Sequence, residues 1–151
     1  MELMVVIAIV GIMAGIALPN FFSFLPKSRL RSATRDIVSC FQEMKLRAIK
    51  ENARAVVVFD LANDRYTAFV DNGPENGVWN AGETIIEQVI LPVDLDLYFE
   101  NFATAGFNSR GLPISAGNVK ISYSNSDYRT VIVNTAGNIR IQMSTDGVNW
   151  N

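Results

Sequence analysis

Residues 3–18 are apolar without interruption, with a single acid, Glu2, before them and Pro19, Asn20, Phe21 and Phe22 after them. Extended to Leu25, tolerating Pro19, Asn20 and Ser23, the segment as a helix is roughly 34 Å long, enough to cross a bilayer core of about 30 Å. It is therefore a membrane-helix candidate. The strictly apolar part alone is roughly 24 Å, which leaves a signal-peptide core as a rival. A signal peptide wants basic residues before the core and a small-x-small cleavage site after it; here Glu2 precedes and a Pro-Asn-Phe-Phe run follows.

Beyond Pro26 continuous apolarity gives way to a stripe. Leu30, Ala33, Ile37, Cys40 or Phe41, Met44 and Ala48 recur at steps of three and four, which predicts one apolar helical face to about residue 52. Arg31, Arg35, Asp36, Glu43, Lys45, Arg47, Lys50 and Glu51 lie between them and make the opposite face wet. One long helix results, membrane-spanning in its first half and amphipathic in its second. Pro19 lacks a backbone donor and Gly11 and Gly15 are weak helix formers, so bending or local melting is expected between Gly11 and Pro19.

Past residue 52 the period becomes two. Residues 53–60 and 65–71 read as a hairpin around Ala62, Asn63 and Asp64. Residues 83–91 and 95–100 are further strand candidates, and 118–124, 128–134 and 138–143 form a candidate meander. A helix followed by strands in blocks predicts an α+β fold, the helix lying on antiparallel β-sheet. The organisation expected is a hydrophobic transmembrane and assembly helix, residues 1–25, and a globular unit, residues 26–151, that contains the amphipathic half of the helix.

Composition narrows the chemistry. Setting Glu2 aside leaves 14 acids against 13 bases, a balance that gives nucleic acid no bulk electrostatic attraction. The single cysteine, Cys40, excludes an internal disulfide and reads as a small buried hydrophobe. With no histidine in the chain, histidine-assisted nucleophiles and histidine metal ligands are absent. Asp94 and Asp96 are spaced to share a strand face, for which a polar edge strand is sufficient explanation. Neither a phosphate loop nor a paired-cysteine motif appears, so the chain reads as no enzyme.

One loop has the residues of a cation site. DNGPENGVWNAGE (71–83) offers oxygen ligands at Asp71, Glu75, Asn76, Asn80 and Glu83 among flexible glycines, the composition of a calcium loop. Its register is poor: with Gly77 in the glycine position, the third ligand becomes Pro74, which has no side-chain oxygen. A glycine-rich turn held by Asx hydrogen bonds is the reading adopted, with no cofactor assigned.

ELMVVIAIVGIMAGIALPNF (2–21) resembles the N-terminal signature of type IV pilins and type II secretion pseudopilins. FNSRGLP (107–113), GNVKISY (117–123) and RTVIVNTAGNIRI (129–141) resemble the end of the GspH/FimT group of minor pseudopilins and pilins. In the latter segments Gly111 and Gly137 fall where tight turns need positive φ, and Val131, Val133, Ile139 and Ile141 alternate so as to cover one sheet face. The resemblance implies a structural subunit of a secretion pseudopilus or type IV pilus, with other pilin or pseudopilin subunits as partners in a helical filament. It also implies that a prepilin peptidase cuts after a glycine in an upstream leader, and that Met1 is internal to a stretch of the form GFTLMEL. Glu2 takes the place of the assembly glutamate, and the helix loosens near Gly11, Gly15 and Pro19 on entering a filament. Lys27, Arg29, Arg31 and Arg35 alone would draw the far side of the span into the cytoplasm, so a basic leader is needed to oppose them. The implied location is the bacterial inner membrane, single-pass with the C-terminal unit in the periplasm, or the cell surface once in a pilus. A major pilin and a DNA-capturing minor pilin are the alternatives within the family; the latter wants a basic tail, whereas Arg140 is the only base near the end of this chain.

Overall fold

The computed structural model describes residues 2–74, 76–100, 104–124 and 127–150, and at 2, 16–23, 99 and 100 the backbone alone. One helix, α1 (Glu2–Glu51), is followed by eight strands: β1 (Arg54–Asp60), β2 (Arg65–Asp71), β3 (Ile85–Ile90), β4 (Leu95–Glu100), β5 (Thr104–Phe107), β6 (Gly117–Tyr123), β7 (Asp127–Val133) and β8 (Ile139–Ser144). The strands form two four-stranded sheets, ordered β3-β2-β1-β5 and β4-β6-β7-β8. All pairings are antiparallel. The fold is α+β, a helix on antiparallel sheets.

α1 is assigned as one helix from Glu2 to Glu51, with Gly11, Gly15 and Pro19 inside it. Its end has a local cause. Asn52 adopts φ of 48°, and Ala53 N–H donates to the Ala48 carbonyl, the left-handed cap that Asn tolerates better than most residues.

The amphipathic stripe is the core. Leu30, Ile37, Cys40, Phe41, Met44 and Ala48 are all buried, and Ala33 is half-buried at the margin. Thr34, also buried, returns its hydroxyl to the Leu30 carbonyl at 2.6 Å, which lets a polar side chain sit on this face. Phe41 stands edge-on to Phe59 of β1 and Phe107 of β5, with ring centroids 6.1 and 6.5 Å away. Val119, Ile121, Val131 and Val133 close the core from the second sheet. The wet face is exposed except for Lys45 and Arg47, whose stems are partly covered.

Three details differ from the sequence reading. Thr104–Phe107 is a strand, and it pairs with β1 to complete the first sheet; four residues are too few to show alternation. The chain changes sheet at β4, returns for β5 and changes again, a path no local pattern records. Val131 and Val133 face Ile141 and Ile139 across the β7–β8 ladder as the alternation requires, but only the valines are buried. β8 is the sheet edge, and Ile141 there remains 41% exposed.

Candidate assembly surface

Leu3, Met4, Val5, Val6, Ile7, Ile9, Val10, Ile12 and Met13 are between 52% and 75% exposed, and they lie on every side of the helix. A helix apolar all round is stable when surrounded, by lipid or by other helices, because each exposed aliphatic side chain forfeits about 1.5–3 kcal/mol of burial. Contiguous apolar surface of this extent marks an interaction site. Among the described residues nothing covers this segment. Among the described residues no helix is long and apolar enough to cross a membrane; residues 3–15, whose side chains are described, span about 20 Å. The Glu2 and Pro19 side chains lie outside the described residues.

The body is fastened to α1 by two copies of one turn. Asn108 Oδ1 accepts from the Arg110 and Leu112 amides at 2.9 and 3.1 Å, and Gly111 N–H donates to the Asn108 carbonyl at 2.8 Å. Asn134 repeats this with the Ala136 and Asn138 amides at 3.1 and 2.9 Å and with Gly137 N–H at 2.9 Å. Both glycines have positive φ, 74° and 76°. Gly111 lies under Ile49, where an added Cβ would stand 2.7 Å from Cδ1, and Lys45 Nζ donates to the Gly137 carbonyl at 3.1 Å. The Asn-x-x-Gly pair was present in the sequence; what spacing could not show is that both turns meet on the same end of α1.

The described residues of the 71–83 loop are held by short-range hydrogen bonds, although Asp71 Oδ1 is buried without a hydrogen-bond partner. Asp71, fully buried, accepts the Gly77 N–H on Oδ2 at 2.8 Å, and Arg54 Nε lies 3.8 Å from the same oxygen. Glu83 accepts the Asn80 amide at 2.7 Å, and its other oxygen lies over Gly73, where an added Cβ would stand 3.0 Å away. Asn76 Oδ1 accepts the Val78 amide at 2.9 Å and the Asn80 side chain at 3.2 Å. Asp71 and Glu83 each accept a different loop amide. Glu75 lies outside the described residues, and among those described no group of three acidic, histidine or cysteine side chains is placed to hold a metal.

The two aspartates spaced for a shared strand face have separate surroundings. Asp94 precedes β4 and pairs with Arg29 at 3.1 Å, while Asp96 is exposed on β4 opposite Ser122. Burial, reinforced by Glu87, pushes the Cys40 thiol far above its ordinary value, so no thiolate is available there.

Where α1 leaves its apolar arm, part of the basic cluster read from the sequence becomes one wall of a groove. Lys27 and Arg31, one helical turn apart, border a cavity of about 360 Å³ completed by Arg129 of β7 and by Met143 and Asp146 near the end of the chain. Lys27 Nζ is 3.7 Å from Asp127 Oδ2. Local pattern could find the helical bases but not Arg129, which the fold brings from about a hundred positions away.

The family model described as type II transport protein GspH matches residues 33–137. Among solved structures, the minor pseudopilin EpsH of the Vibrio cholerae type 2 secretion system superposes with a TM-score of 0.61 at 15% identity, over 75% of this chain and 95% of that one. The type IV minor pilin FimU of Pseudomonas aeruginosa gives 0.60 at 14% identity, over 85% and 96%. At these identities the likeness is one of fold. No curated protein sequence matches.

Proposed function

The chain belongs to the GspH family of type II transport proteins, structural pilin-like subunits with an envelope-associated location, and from that premise we propose that it assembles through residues 1–25 while residues 26–151 form the outward body. The observation that carries this reading is the exposed stretch at residues 3–15, apolar on every side and continuous in one helix with the stripe on which the body is built. Before assembly the arm lies in the inner membrane as a single pass, with the body in the periplasm. In the filament it exchanges lipid for the arms of neighbouring subunits. That exchange is near neutral in apolar burial, so a specific contact must drive it.

Glu2 supplies that contact. Processing upstream of Met1 by a prepilin peptidase would set this carboxylate inside the bilayer, where an uncompensated acid costs about 2.5–3.5 kcal/mol. The terminal ammonium of a neighbouring subunit relieves it, and the pair is strengthened where water is scarce. Loosening near Gly11, Gly15 and Pro19 then lets the arm adapt to its neighbours. The test is Glu2→Ala in the full-length precursor: membrane insertion should persist while incorporation beside other subunits falls. Normal incorporation would refute the recruiting role.

A further inference from the structure

We propose that the groove between α1 and the β7–β8 edge binds the phosphate group of an anionic membrane lipid, holding the body against the headgroup layer before assembly. The inference rests on the reading of the apolar arm as membrane-inserted.

Depth is the first argument. Lys27 and Arg31 follow Leu25, the last residue of the candidate span, by two and six positions on the same unbroken helix, about 3 and 9 Å along its axis. The headgroup layer extends about 5–8 Å beyond the hydrocarbon core on each side, so the two bases bracket the level of the lipid phosphates. Arg35 continues the line at the same four-residue step.

Charge is the second. The groove brings Lys27, Arg31 and Arg129 together with two acids, Asp127 and Asp146, so the bases are in excess. Asp127 stands beside Lys27. Asp146 is committed to its own turn, accepting from the Val148 and Asn149 amides at 2.9 Å, from the Asn149 side chain at 2.6 Å and from the Ser144 hydroxyl at 2.7 Å. Among the described residues no carboxylate forms an ion pair with Arg31, Arg35 or Arg129. Arg129 is half-buried, and its cation is disfavoured first by that burial and then by Arg31, with Asp127 only partly offsetting them and Arg35 adding to the cost. A site that gathers guanidiniums against their mutual repulsion is completed by an anion, and a planar fork is suited to phosphate oxygens.

Shape is the third. Leu30 and the half-exposed Met143 give the same groove an apolar wall. A lipid, with phosphate and glycerol ester joined, uses both surfaces; a free phosphate uses one.

The experiment uses the full chain. Flotation with phosphatidylcholine vesicles first tests insertion, and a chain that does not float refutes the membrane reading itself. Native mass spectrometry of the detergent-solubilised chain, titrated with phosphatidylglycerol or phosphatidylcholine, then reads retained lipid. Phosphatidylglycerol should be preferred, and Arg129→Gln and Arg31→Gln should each reduce that preference about five-fold while flotation persists. Arg31 is exposed, so its variant tests the site without disturbing the core. Arg110→Gln, in the Asn108 turn, should leave the preference intact. Equal retention of both lipids, or unchanged preference in the two site variants, overturns the proposal. So does displacement of phosphatidylglycerol by an equal concentration of inorganic phosphate, which would mark a free-phosphate site. Loss of the variants from filaments with lipid preference intact would assign the groove to an acidic side chain of a neighbouring subunit.

Discussion

Replacing Phe41 by alanine removes a buried side chain through which α1 packs on the first sheet. The ring has no solvent exposure and meets Phe59 and Phe107 edge-on, at interplanar angles of 70° and 74°. Truncation forfeits the transfer energy of a benzyl group and leaves a cavity between a helix and a sheet, neither of which can close it without breaking other contacts. Phe→Ala changes of this kind cost about 3–5 kcal/mol. Two edge-to-face contacts, each worth about 0.5–1.5 kcal/mol beyond area, set the expectation in the upper part of that range. For a body of this size each kcal/mol shifts Tm by about 3–5 °C, so about 4–5 kcal/mol gives an expected fall of roughly 12–25 °C. Arg47→Ala is the internal control: Arg47 lies on the same helix and pairs with Glu43 and Glu51 at 2.8 and 3.3 Å on the solvent side. Each such exposed pair contributes about 0.3–0.5 kcal/mol, which limits the fall to a few degrees. Near-UV circular dichroism of the two full-length variants in detergent, followed through heating, measures both. Equal melting temperatures would mean that the buried and wet faces of α1 do not carry the energies assigned to them.

A soluble fragment beginning at Pro26 should melt cooperatively, since it retains the stripe and every strand; a featureless melt would show that the body needs the arm or its neighbours. Gly111→Ala should cost about 1–2 kcal/mol by denaturant unfolding, because φ of 74° and the Ile49 methyl 2.7 Å from the new Cβ both oppose it, whereas Gly15→Ala, in open space on a helix, should cost nothing. A Gly111 variant as stable as the parent would remove the strain argument. Calcium up to several millimolar should leave Trp79 fluorescence unchanged, because Asp71 and Glu83 already accept loop amides; a saturable response would overturn that assignment.

The α+β class, the helix and its buried stripe, the first hairpin and the final meander were legible because each is written in a local period. Ile37, Phe41 and Met44 declare a face by spacing alone, and the hydrophobic effect then has one place to put them. β5 was not legible: Thr104 to Phe107 contains a glycine and too few residues to alternate, and its place is decided by the free edge of β1. The switch of β4 to the second sheet was hidden for a similar reason. Part of its anchor is Asp64, in the β1–β2 turn, whose side chain accepts the Leu97 amide at 3.1 Å across 33 positions. The groove around Arg129 shares this character, since charge converges there through topology. The loop at 71–83 shows the converse. Its composition matched a cation site, whereas among the described residues one oxygen each of Asp71 and Glu83 accepts a loop amide, a pairing that composition does not record.

A single helix carries both halves of the proposed role, and the change of period along it divides the labour. Over residues 3–15 apolar side chains face every direction, so this stretch has no preferred partner face and accepts lipid or neighbouring helices alike. From Leu30 onward the apolar face is one stripe, already filled by two sheets, so the body has a fixed rotation about the same axis. Because α1 is continuous, that rotation also fixes the azimuth of Lys27, Arg31 and Arg35 relative to the arm. Rotating the arm relative to the body by inserting one residue between Leu25 and Leu30 would turn every arm side chain by about 100° while leaving both halves intact. An arm that recognises its neighbours only through hydrophobicity would tolerate that insertion; one that must present Glu2 in a defined direction would not.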